Sequence, residues 1–284
     1  MIEIENLDFS YGNQPLFLNL TLRLEQGKIY GLLGKNGAGK TTLFKLLTGL
    51  LSPKKGSIRV GSFIPVHRQK AMYEDLFFYP EKTNLPEMKV NEFIKLYSPL
   101  YPQWSQEMCF SLLTSMEVPE NYKLSQLSFG MLKKFYLIFA LSTQCSCYLL
   151  DEPTSGLDIP SKKDFRQIVI NQFNEDNTII ISSHQVKDFN QLLDEVIIID
   201  KGRIIFKQSI ENIESKLALI TIPPGQASSE DDVLYQEELG GNVIALVTNT
   251  GNYPDKQAVD LEFLFNAVNE NYKRINDIFS EIKP

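Results

Sequence analysis

The amino-acid sequence predicts an α/β fold followed by a small α+β module. Three observations carry that expectation. An apolar segment, Lys28–Leu33, runs into a glycine-rich loop and then into a helical segment, Thr41–Leu51. A second apolar segment, Cys147–Leu150, ends in Asp151-Glu152. After residue 215 the texture changes to short strands and one closing helix. Buried strands alternating with helices are the pattern of a layered α/β domain.

Each element has its own signal. Ile2 and Ile4 alternate with Glu3 and Glu5, the period of a half-buried strand. Leu16–Leu24 follows as a second strand and closes at Gln26-Gly27. Ser52-Pro53 stops the first helix. Ser57–Val60 and Asp75–Tyr79 read as strands, and residues 88–146 as helical, broken at Pro99, Pro102 and Pro119. Met131–Leu141 is apolar throughout much of its length and reads as a buried helix. Lys162–Phe173 is a helix, Thr178–Ser182 a strand, and Val186–Leu193 helical. Val196–Ile199 and Arg203–Phe206 form a hairpin around Asp200-Lys201-Gly202. Leu217–Ile222 and Asn242–Thr248 are strands, Pro223-Pro224-Gly225 a break, and Val259–Ile278 the closing helix.

Composition narrows the class. The 284 residues are 43% hydrophobic and 22% charged, an ordinary globular balance. A net charge of -7 argues against binding nucleic acid through overall basicity, so no nucleic-acid partner is expected. Residues 211–284 hold 13 acids and 5 bases, leaving the rest near neutral and hinting at two modules. Cys109, Cys145 and Cys147 fit no CxxC spacing; on a strand, the last two would share a face. With no secretory pattern, these thiols fit a reducing cytosol. No apolar run approaches the ~20 residues a membrane-spanning helix needs. Any work at a membrane would therefore need another chain to span it.

The decisive segment is Gly34-Lys35-Asn36-Gly37-Ala38-Gly39-Lys40-Thr41, followed by Thr42. It satisfies G-x-x-x-x-G-K-[ST], the P-loop pattern. Glycines let the backbone turn its N–H groups toward an anion. The following helix points its positive end at the phosphates. Lys40 reaches the β- and γ-phosphates, and Thr41 offers a hydroxyl to Mg²⁺. A P-loop also needs a metal ligand and a group that positions water. Asp151 and Glu152, at the C-terminal end of an apolar strand, are the candidates. Asp151 would hold Mg²⁺, and Glu152 would orient or deprotonate the attacking water.

At this point the residues reach a known pattern. The chain resembles the nucleotide-binding subunits of ABC transporters over about residues 1–215. Tyr11, in Phe9-Ser10-Tyr11-Gly12, stands where that family places an aromatic that stacks on adenine. Leu127-Ser128-Phe129-Gly130-Met131 is similar to its signature motif; Ser128 and Gly130 match, while Phe129 and Met131 depart. Ser155-Gly156-Leu157-Asp158 is similar to the loop in which Asp158 meets the partner subunit. His184 stands at the switch-histidine position, where it would donate to the γ-phosphate. Glu81, in Phe78-Tyr79-Pro80-Glu81, aligns with a metal-side glutamine of the family, and Gln69 is the rival alignment. His67 is assigned no role and reads as an exposed loop residue.

The resemblance implies a P-loop NTPase with a mixed sheet core, an antiparallel β subdomain and a helical subdomain inserted at about 82–145. Residues 1–215 would form the ATP-binding domain and 216–284 an accessory module. The implied activity is hydrolysis of ATP, with Mg²⁺, coupled to transport. The implied assembly is a homodimer or heterodimer of ATP-binding subunits closed around ATP. It would drive integral membrane subunits from the cytoplasmic face of the cell membrane. The relaxed signature and the segment Asp260-Leu261-Glu262-Phe263-Leu264-Phe265 resemble exporter-type subunits. A soluble ABC ATPase acting on ribosomes or nucleic acid is the alternative; such relatives usually carry two P-loop domains or a long coiled coil. A P-loop kinase or GTPase would leave the signature segment unexplained.

Overall fold

The computed structural model describes residues 1–82, 85–184, 189, 192–222, 233–251, 253 and 257–280. Along the chain, β1 (Ile2–Tyr11), β2 (Gln14–Leu24) and β3 (Ile29–Leu33) lead into α1 (Lys40–Leu47). Then come β4 (Lys55–Val60), a short α2 (Lys70–Tyr73) and β5 (Leu76–Tyr79). Three helices follow, α3 (Val90–Tyr97), α4 (Gln106–Ser115) and α5 (Phe129–Ser142). Next are β6 (Cys147–Asp151), α6 (Ile159–Gln172), β7 (Thr178–Ser183), β8 (Glu195–Asp200), β9 (Arg203–Ser209) and α7 (Ile210–Lys216). The chain closes with β10 (Leu217–Ile222), β11 (Val233–Leu239), β12 (Asn242–Thr248) and α8 (Leu261–Ser280).

The central sheet has the order β5-β6-β7-β3-β8-β9. Its first five strands are parallel, and β9 returns antiparallel to β8. Strands β3, β6 and β7 are buried along their whole length, as the near-continuous apolar runs in the sequence require. A second, antiparallel sheet, β2-β1-β4, packs its alternating apolar side chains over α1. The fold class thus matches expectation: a mixed sheet, an antiparallel sheet and helices inserted between β5 and β6. The inserted helices pack through an aromatic cluster in which Phe93, Phe135 and Phe139 meet one another at 5.0–6.5 Å.

Several details differ from the sequence expectation. Helix α1 ends at Leu47, before Ser52-Pro53, because Gly49 takes φ +70° and returns its N–H to Leu46 O. Cys145 lies in the loop before β6, on the helical side of the core, whereas Cys147 opens β6 and packs on the other side. The two thiols therefore share no strand face. Strand β11 was not expected; its run Gln236-Glu237-Glu238 hides the apolar alternation, as charged edge strands do. Helix α8 is kinked at Asn271 (φ −146°, ψ 67°), whose side chain caps the second segment through Arg274 N–H at 3.2 Å. The helix expected at Val186–Leu193 and the break at 223–225 fall wholly or largely outside the described residues.

The C-terminal sheet, β10-β12-β11, and α8 share a core with the main body. Phe206 of β9 meets Phe279 of α8 edge-on at 5.5 Å, and Asn276 Nδ2 donates to Ile205 O at 2.8 Å. The edge of the central sheet is thereby covered.

Candidate functional site

The parallel strands deliver their C-terminal ends to one edge. Leu33 pairs with Ser183, and Asp151 with Ser182, so the loops after β3, β6 and β7 leave side by side. They open on a cleft of about 510 Å³ lined by Tyr11, Leu16, residues 36–42, Glu81, Glu152 and His184.

Gly39 forms the hinge between loop and helix. Its φ of +113° and the Phe17 ring, 2.8 Å from where a Cβ would sit, leave room for glycine alone. Helix α1 starts at Lys40 with no acid in its own first turn, and its positive end is turned to the cleft. The Lys40 side chain is buried; its Nζ donates to Gly34 O at 2.6 Å and to Lys35 O at 3.4 Å.

Asp151 is held from two sides. Thr41 Oγ1 donates to its Oδ2 at 2.7 Å and Ser182 Oγ to its Oδ1 at 2.6 Å. Burial pushes its carboxyl above the usual range, against the pull of those two hydrogen bonds. Thr41 and Asp151 thus present hard oxygen donors at the loop, a set that fits Mg²⁺. Among the described residues no three His, Cys, Asp or Glu side chains cluster to cage a metal. An Mg²⁺ held chiefly by phosphates and water needs no such cage.

Glu152 is the most constrained group in the cleft. Its backbone has φ 45°, a left-handed conformation that non-glycine residues seldom adopt. Its N–H donates to Ser182 O at 3.2 Å and to Ser182 Oγ at 3.0 Å. Its Oε2 lies 2.8 Å from His184 Nδ1, and Oε1 lies 3.3 Å from Lys40 Nζ. That ammonium is near enough for charge pairing, yet the buried Oε1 receives no hydrogen bond. A buried carboxylate oxygen with spare acceptor capacity beside a phosphate-binding loop is suited to hold water.

Tyr11 stands at the cleft's mouth, half exposed, edge-on to Phe9 at 5.0 Å. Its hydroxyl is 3.2 Å from Thr42 Oγ1. Glu81 is exposed and lines the cleft, whereas Gln69 immediately precedes the short α2 and His67 ends a 3-10 turn, both exposed and outside the lining. Ser128, Gly130 and Asp158 are also outside it. Ser128 caps α5 by accepting from Met131 N–H at 3.2 Å, and Asp158 caps α6 by accepting from Ser161 N–H at 3.0 Å.

Three residues at the site escaped sequence reasoning. Leu16 supplies an apolar wall. Ser182 grips both Asp151 and Glu152, and its signal was its place at the end of an isoleucine-rich strand. Lys133, buried on α5, donates to Glu152 O at 3.3 Å and Ser155 O at 2.8 Å. A lysine pair interrupting an otherwise apolar helix was its signal.

Comparison with known proteins places the chain in a family. Residues 17–155 match the family model described as ABC transporter. An uncharacterised ABC transporter ATP-binding protein of Methanocaldococcus jannaschii is 30% identical, over 83% of this chain and 88% of its own. The lantibiotic transport ATP-binding protein of Streptococcus pyogenes is 29% identical, over 76% of this chain and 93% of its own. Among solved structures, an ATP-binding subunit of an ABC transporter superposes with a TM-score of 0.68 at 24% identity, covering 75% of this chain and 92% of that one. A dimeric ATP-binding cassette in a post-hydrolysis state with ADP and Pi shares the fold at a TM-score of 0.64 and 19% identity, covering 74% and 98%. The chain belongs to the ABC transporter ATP-binding proteins, and its activity is the hydrolysis of ATP as the motor subunit of a transporter.

Proposed function

We propose that each ATP lies between the Lys40 cleft of one subunit and the Ser128 segment of another, in a head-to-tail dimer. One observation carries this reading. Lys40, Glu152 and His184 meet in one cleft, while Ser128 and Gly130 stand outside it at an exposed helix N-terminus. A helix N-terminus is itself an anion-binding end, so the chain carries two complementary half-sites.

In the cleft, the N–H groups of residues 36–42 cradle phosphate and Lys40 adds a compact cation. Tyr11 stacks on the base. Thr41, Asp151 and Glu81 would hold Mg²⁺, which when bound would offset the charge of the phosphates. Glu152 Oε1 takes the attacking water by hydrogen bond and orients or deprotonates it, and His184 holds Oε2 while facing the γ-phosphate. Asp158 meets the partner subunit. Closure adds contacts that exist only with ATP bound, and loss of the γ-phosphate link opens the pair.

Residues 1–215 serve as the ATP-binding domain, with 82–145 passing movement to membrane-spanning subunits, and 216–284 as an accessory module. No described helix is long and apolar enough to cross a membrane. The spanning part then belongs to other chains, with this subunit bound at the cytoplasmic face. The departures at Phe129 and Met131 support an exporter, and a relative named for lantibiotic transport supports the coupling to transport. Substituting Glu152→Gln tests the reading. Hydrolysis should fall by at least about a hundredfold while ATP binding persists. Unchanged turnover would remove Glu152 from its role.

A further inference from the structure

We propose that Lys133 is a positioning residue for hydrolysis: its ammonium holds the Glu152–Ser155 turn and so fixes where the Glu152 carboxylate points. The inference rests on Glu152 as the group that positions water.

Lys133 is 2% exposed, on the helix that Ser128 caps. A cation that serves only solubility would face water. Its neighbour Lys134 pairs with Asp164 of α6 at 2.9 Å, whereas Lys133 sends its hydrogen bonds to backbone. The carbonyls it holds, those of Glu152 and Ser155, are the two ends of one turn, closed by Ser155 N–H donating to Glu152 O at 3.1 Å. The Phe129 ring covers the ammonium at 5.1 Å. The same ring lies against Gly156, with Cε1 3.0 Å from where a Cβ would stand.

Glu152 is therefore gripped on both sides of its left-handed backbone. Ser182 holds its N–H and Lys133 holds its carbonyl. Such a backbone persists only where its surroundings over-determine it. With the Lys133 contact gone, the turn can relax and swing the carboxylate away from Lys40 and His184. Burial opposes the ammonium most strongly, while the charges of Glu81 and Glu152 favour it. Lys133 also lies on the helix that Ser128 caps, so the proposed nucleotide-facing helix end and the chain's own Glu152 turn are tied to one helix.

The test compares Lys133→Met with Glu152→Gln in the full chain under Mg-ATP. Lys133→Met keeps the apolar stem and removes the donors. Its kcat should fall by about ten- to a hundredfold with KM for ATP within about twofold, the mark of a misplaced group and not a lost binding contact. Added to Glu152→Gln, it should lower the residual turnover no further, because both changes act through one carboxylate. Turnover of Lys133→Met within about twofold of the parent overturns the proposal, as does a fully multiplicative loss in the double variant. If Lys133→Met fails to fold, Lys133→Leu, which likewise removes the donors, is judged by the same criteria. An inactive Glu152→Gln beside a fully active Lys133→Met overturns this proposal alone. A fully active Glu152→Gln overturns the reading of Glu152 and the proposal with it.

Discussion

The two half-sites of this chain are built differently. The Lys40 half is buried and cross-tied: Thr41, Ser182, Lys40 and His184 all bind Asp151 or Glu152 at 2.6–3.3 Å. The Ser128 half is exposed and held by helix caps at Ser128 and Asp158. The first is pre-organised within one chain, so its electrostatics need little rearrangement when ATP arrives. The second offers N–H groups to a ligand that its own chain does not bring. On the proposed reading, the difference makes binding and turnover separable: one chain would suffice for the first, and two would be needed for the second.

Lys40→Ala should have the largest effect on the buried half. It removes a desolvated cation from the phosphate loop, and kcat/KM should fall by about a hundred- to a thousandfold, with ATP binding to the single chain lost alongside. Retained binding would show that the loop's N–H groups suffice. Tyr11→Ala comes next, because losing one stacking face costs about 1 kcal/mol, or roughly fivefold in Kd for ATP. Tyr11→Phe keeps the face and loses only the contact with Thr42, so its Kd should stay within about threefold. Equal losses for the two would assign the effect to the hydroxyl and not to stacking.

The smallest effect is one of stability with pH. Burial lowers the Lys133 ammonium from 10.5 to about 8. Between those values the unfolded chain holds a proton that the folded chain has released, so this group makes stability rise with pH there. Below about pH 8 both states are protonated and the contribution is constant. Relative to Lys133→Met, the parent should therefore gain thermal stability from pH 8 toward 10. Parallel pH curves would mean that the lysine titrates as if exposed.

Most of the cleft was legible in the sequence because its chemistry is carried by short, contiguous patterns. A strand, glycines, lysine and threonine in register make one cradle, and an apolar strand ending in two acids makes its complement. Leu16, Ser182 and Lys133 were missed for a common reason. Each acts through a contact across the fold, 31 positions from Asp151 in the case of Ser182. Strand β11 was missed because its acids mask the apolar face, and the end of α1 because Gly49 terminates the helix before the more conspicuous proline. The placement of Glu81 in the cleft and Gln69 away from it also required the folded chain.

The central claim, that ATP bridges two unlike half-sites on two chains, is tested most directly in a hydrolysis-deficient background. The measurement is the mass of the assembly with and without Mg-ATP for Glu152→Gln and for Glu152→Gln with Ser128→Arg. We predict an ATP-dependent dimer for the single variant. The double variant should remain a single chain that still binds ATP. Equal ATP-dependent assembly of both would contradict the account, because the exposed half-site would then play no part in holding the nucleotide.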